Sequence, residues 1–152
     1  MAPYRHILLV VDLTEDSAAI GRKTQALAAA LGAEVELLHV VEFVPVEPLG
    51  ETLMPAAQIE DELVARARQR LDALAAELGL AGCACRVESG NVKSEIVRVA
   101  RERGADLIVL GSRERHGLSI LVNLTEDTVL HAAHCDVLAM RAGSRRQVES
   151  SR

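Results

Sequence analysis

Two kinds of apolar pattern alternate along this chain from end to end, and the alternation restricts the fold classes open to it. Short continuous runs such as "HILLVVD" at 6–12 and "DLIVLG" at 106–111 suit strands buried on both faces, because successive side chains of a strand point to opposite sides. Similar runs stand at 33–41, 83–89 and 136–141. Between them apolar residues recur every three or four positions, the spacing of a helix with one buried stripe. Ile20, Thr24, Leu27 and Leu31 make one such stripe, and Ile59, Leu63, Ala67, Leu71, Leu74 and Leu78 another; shorter helices are expected at 91–104 and 124–134. Strand, helix and strand in strict succession predict right-handed crossovers, hence an α/β fold: a doubly wound sheet of five parallel strands with helices on both faces.

Local chemistry marks the joints. Thr14 is the expected cap of the first helix, with Glu15 and Asp16 at its positive end and Gly32 closing it. Segment 42–57 holds three of the four prolines and is read as loop. With 152 residues and 49 % apolar content the chain suffices for one core, so residues 1–141 are read as one domain and 142–152 as a disordered basic tail.

Composition also excludes several classes of function. A net charge of −5 argues against a phosphate-backbone partner, and one Phe, one Tyr and no Trp leave almost nothing on which bases could stack, so no nucleic-acid partner is expected. No run reaches the length of a membrane span, and no membrane association is expected. Three cysteines, an odd number without scaffold spacing, suit the reducing cytoplasm.

A strand order of 3-2-1-4-5 makes the sheet Rossmann-like and puts its ligand crevice beyond the carboxyl ends of strands one and four. Asp12 and the loop "GSRERHG" at 111–117 stand there. Glycine at such a place lets backbone amides approach a phosphate closely. Glu114, in the middle of the loop, puts a negative charge where a polyanion would lie.

Three stretches carry a resemblance to a known family: "YRHILLVVDLTEDS" at the start, "GAEVELLHVVE" on the second strand, and "ADLIVLGSRERHGLSILVNLTEDTVLHAAHCDVLAMR" at the end. In order and spacing they resemble the universal stress protein family over about Tyr4 to Arg141. That resemblance implies a small cytoplasmic protein, usually a homodimer, without strong catalytic activity. Many members bind ATP through an acid after strand one, a backbone contact on strand two and a loop of the form G-x2-G-x8 or 9-G-[ST]; others lack the loop and bind none.

Carried over residue by residue, the resemblance matches Asp12 to the acid, Val40 to the strand-two contact and Gly111 to the first loop glycine. Glu114 stands at the second glycine, Asn123 at the third and Leu124 at the hydroxyl position, with Thr125 next. The ATP loop is therefore degenerate, although Arg113, Arg115 and His116 add positive charge, Gly117 keeps a glycine, and Asn tolerates left-handed backbone. Asn123 and Glu126 also have the spacing of a helix capping box. A nucleotide site, if kept, would comprise Asp12, Val40, Gly111, Arg113, Arg115, Gly117, Asn123 and Thr125.

Other constellations offer less. His131, His134, Cys135 and Asp136 cluster in sequence but lack a complete ligand set, and no metal is expected. Cys83 and Cys85, two apart on an extended strand, would have Cα atoms roughly 6.5–7 Å apart, at or beyond the disulfide limit, and read as small hydrophobes. There is neither a G-x-S-x-G elbow nor a G-x4-G-K-[ST] loop, and a pair of acids resembling a phospho-acceptor site reduces to Asp12 and Glu88. The expectation is a non-enzymatic stress-response protein, homodimeric through its C-terminal strand, with no required cofactor. The alternative is an ATP- or AMP-binding switch, or a weak ATP-hydrolysing protein, using loop 111–125.

Overall fold

The computed structural model describes residues 2–42, 56–112 and 124–143. Its elements run β1 (His6–Val10), α1 (Ser17–Leu31), β2 (Glu34–Val41), α2 (Ala56–Glu77), β3 (Cys85–Ser89), α3 (Val92–Arg103), β4 (Leu107–Ser112), α4 (Leu124–Ala132) and β5 (Asp136–Arg141). The five strands form one parallel sheet, as the alternation predicts, and their order is β3-β2-β1-β4-β5, the one on which the crevice reading rests. No helix among the described residues is long and apolar enough to cross a membrane.

Strand alternation divides the core in two. Ile7 and Leu9 of β1, with Leu37, Leu107 and Val109, face α1 and α2 through Ile20, Ala28, Ala67, Leu71 and Leu74. Leu8, Leu38, Ile108 and Leu110 face the other way, against Ile96, Val99 and Ala100 of α3 and Val129 of α4. Ile7, Leu8 and Leu9 are fully buried, so β1 is the spine of both halves.

Helix ends follow local chemistry, with one correction. Gly32 and Gly104 close α1 and α3 in the left-handed region, at φ +66° each, and the Asn91 side chain accepts the Ser94 N–H at the start of α3. The expected cap of α1, Thr14, does not cap it. The helix begins at Ser17 after Asp16, and the Thr14 hydroxyl turns back to Asp12 at 2.6 Å.

On α2 the expected stripe is buried only from Ala67 onward, while Ile59 and Leu63 are exposed. Twenty-two residues of helix extend about 33 Å, farther than strands of five to eight residues can cover, so the first turns overhang the sheet.

The third strand also begins later than the apolar run suggests. Cys83 lies in a bend whose N–H donates to the Leu80 carbonyl at 2.9 Å, and β3 starts at Cys85. The two side chains lie on one face of the core, and their sulfurs stand 3.9 Å apart.

Two polar clusters brace the sheet. Glu36 of β2, only 3 % exposed, accepts from His6 Nε2 at 3.1 Å and Arg103 Nε at 3.0 Å, joining β1, β2 and the end of α3. Along the β3 edge, Arg86 pairs with Glu88 and Glu102, and Arg98 of α3 with Glu88, Glu95 and Glu102. The Arg86 guanidinium beside Glu102 holds that carboxyl below its ordinary range.

Gly21 is the close point between α1 and α2: a Cβ there would stand 2.4 Å from Cδ1 of the buried Leu78. Gly21→Ala is expected to destabilise the fold by roughly 1–3 kcal/mol through overpacking. In a double-mutant cycle read by chemical denaturation, Leu78→Ala should absorb much of that loss, and strictly additive effects would show that the contact is not the cause.

Candidate functional site

The carboxyl edge of the sheet that topology marks for a ligand lies where β1 ends. Ladder pairing stops at Val10, which stands between Leu38 and Leu110. Extending that register by two residues sets Asp12 between Val40 of β2 and Ser112 of β4, with Gly111 beside Val11. The structure thus brings Asp12, Val40 and Gly111 together at the carboxyl edge of the sheet. One further bond ties β1 to β2 there: His39 Nδ1 donates to the Val11 carbonyl at 2.8 Å.

Asp12 is exposed and organises its own turn. Its Oδ1 accepts the Thr14 N–H at 3.0 Å, the Thr14 hydroxyl at 2.6 Å and the Ser17 hydroxyl at 3.0 Å. An aspartate that bonds the backbone two residues on stabilises a turn whether or not a ligand is present.

Leu13, which follows, has φ +57°, a conformation that costs a side chain with a Cβ about 1–2 kcal/mol. Burial of its side chain and a hydrogen bond from Arg70 of α2 to its carbonyl hold it there. Leu13, Thr14 and Ser17, with Arg70, Ala73, Leu74 and Glu77, line a cleft of about 270 Å³ between α1 and α2.

Gly111 has a reason of its own. A Cβ at this position would come within 2.6 Å of Ile20 Cδ1 on α1, and its φ is not in the left-handed region. A larger residue here would make the Ile20 side chain give way, so the close approach of β4 to α1 is one reason for glycine at this position. Val40 is buried against the α3 side of the core.

Arg113, Arg115, Gly117 and Asn123, together with Glu114 and His116, lie outside the described residues. Thr125 belongs to the first turn of α4 by its backbone. Among the described residues no three His, Cys, Asp or Glu side chains gather as a metal would need. Cys135 packs beside the α3-side core, and Asp136 accepts the Tyr4 hydroxyl at 2.8 Å.

Sequence reasoning missed Leu13 and Arg70. A leucine gives no warning of a left-handed backbone, and an arginine on the polar side of α2 looks like any solvated charge.

Comparison with known proteins matches residues 3–141 to the model of the universal stress protein family. The chain belongs to that family. Universal stress protein A homolog 2 of Coxiella burnetii is 33 % identical over 93 % of this chain and 97 % of its own length. Among solved structures, a universal stress protein in complex with cAMP superposes with a TM-score of 0.69 at 20 % identity, covering 93 % of this chain and 99 % of its own. The universal stress protein of Archaeoglobus fulgidus in complex with dAMP gives 0.60 at 22 % identity, over 91 % of this chain and 98 % of its own. At such identities the structural likeness establishes the fold, which is the one found here.

The two roles open to Asp12, turn former and ligand contact, separate by mutation. Asp12→Ala removes the acceptor of three hydrogen bonds and should lower unfolding stability by roughly 1–3 kcal/mol, whereas Asp12→Asn keeps an oxygen there and should cost less than half as much. Equal losses in urea unfolding would contradict a turn held by the oxygen.

Proposed function

We propose that this universal stress family member is a non-enzymatic stress-response protein that works in the cytoplasm as a homodimer. In this reading its crevice is a nucleotide site reduced to the adenine side. The observation that carries the reading is that the matched residues already have employment within the fold. Asp12 holds its own turn, and Gly111 makes room for Ile20. At the phosphate side, Glu114, Asn123 and Leu124 replace the family's two further glycines and its hydroxyl.

Support for the dimer comes from the contrast between the two sheet edges. β3 is guarded by the charged cluster of Arg86, Glu88, Arg98 and Glu102, a device that discourages strand addition. β5 carries half-buried Val137, Leu138 and Met140 with exposed Ala139, and Leu130 on the neighbouring α4 is 55 % exposed. An apolar edge of this kind suits pairing with its own copy about a two-fold axis. Sedimentation at micromolar concentration should give a dimer, and Ala139→Arg should shift it toward monomer; a wild-type monomer at that concentration would defeat the edge-strand proposal.

A second reading, an adenine-nucleotide switch, is favoured by the cAMP and dAMP complexes of the structural neighbours. Each of those ligands has a single phosphate and demands less of a phosphate loop than ATP does. Arg113, Arg115, Gly117 and Thr125 would then serve that one phosphate, beside Asp12 and Val40 at the base.

Nucleotide release on denaturation, followed by calorimetric titration with ATP, AMP and cAMP with and without magnesium, decides between the readings. The first expects no stoichiometric nucleotide and no affinity at millimolar ATP. Saturable binding of a monophosphate would favour the second. In either case the triple change Glu114→Gly, Asn123→Gly and Leu124→Ser should raise ATP affinity about tenfold or more, each restored phosphate contact being worth about 1 kcal/mol. No gain would defeat the account of a degenerate loop.

A further inference from the structure

At the opposite end of the sheet from the crevice, two thiols converge. Cys83 sits in the bend after α2 and Cys85 opens β3, so their side chains turn to the same side with Sγ atoms 3.9 Å apart. Both are free thiols, half-buried against the aliphatic core under α1 and α2, beside Leu80, Val35 and Val87. We propose that Cys83 and Cys85 form a two-thiolate site for one soft monovalent cation of the copper(I) or silver(I) class.

Distance selects the occupant. A cation held linearly between two sulfurs at about 2.3 Å each spans roughly 4.6 Å, so the pair needs to open by about 0.7 Å. A disulfide needs the same sulfurs to close to about 2.05 Å, a movement more than twice as large.

Ligand count selects it again. Thiolates favour soft ions, and zinc would want four ligands, whereas among the described residues no third metal-capable side chain joins this pair. Cys135 packs with the core cluster on the other face of the sheet and cannot complete a set here.

Burial pushes the Cys83 thiol up to about 11 and raises Cys85 as well; Arg68 favours the Cys85 thiolate, while Asp72 and Glu36 oppose it. Capture of the cation forms two sulfur–metal bonds, breaks two S–H bonds and releases two protons, and the bound group carries one negative charge.

Copper(I), supplied anaerobically as its bicinchoninate complex to the reduced full-length protein, provides the test. One equivalent per chain should be withdrawn from the chelator with release of about two protons, and X-ray absorption should show two sulfur neighbours. Cys83→Ala and Cys85→Ala should each weaken uptake on the order of 100-fold or more, while Cys135→Ala leaves it unchanged. Circular dichroism checks that the variants keep their fold, and Cys85→Ser substitutes where the alanine does not. The proposal is overturned if no copper is withdrawn, if uptake depends on Cys135, or if one ion is shared between two chains.

Discussion

Everything in this structure hangs on β1. Its five residues pair with a parallel neighbour on each side and bury Ile7, Leu8 and Leu9 completely, two toward α1 and α2 and one toward α3. A strand buried on both faces and both edges has no freedom to tilt or slide, so the point where its ladder ends is fixed as firmly as the core. That endpoint is where the chain turns at Asp12 and where β2 and β4 run on past it, and a crevice at the carboxyl edge is the geometric consequence.

The turn after β1 shows how one short segment can be fixed by several parts of the fold at once. Leu13 is held in an unfavourable backbone conformation by its own burial and by Arg70 from α2, and Asp12 fastens the hydroxyls of Thr14 and Ser17. Strain of this sort persists only where the surroundings over-determine it. The same interactions that keep the turn rigid also keep the Asp12 carboxylate in a constant position relative to Val40. A rigid acid at the edge of a sheet is a reasonable starting point for base recognition, and it needs no ligand to exist.

How much was legible in the sequence differs between fold and site. The alternation of strands and helices, the parallel sheet and the two-faced burial of β1 follow from hydrophobic patterning, which is redundant over many residues and tolerates local error. The site depends on single residues, and there the signal is thin. Gly111 reads as a phosphate glycine, yet it also stands against Ile20, far away in sequence and invisible to any local rule. Thr14 has the right chemistry for a helix cap, but α1 begins only at Ser17 after Asp16, so its oxygen is not at the cap position. Cys83 and Cys85 fall on one face by their spacing, but neither the bend at Cys83 nor the 3.9 Å approach of the sulfurs is written in it.

The buried Glu36 has a meaning beyond bracing. In a strand with aliphatic residues on both faces, a one-residue slip of β2 against β1 would exchange one greasy face for another at little cost, leaving the alignment of the sheet poorly specified. Such a slip would carry Glu36 from its place beside His6 and Arg103 into the aliphatic layer beneath α1 and α2, stranding a carboxylate without partners. One charged residue therefore acts as an index pin for the whole sheet, discriminating the native alignment from its nearest competitor by the severity of the error it would create.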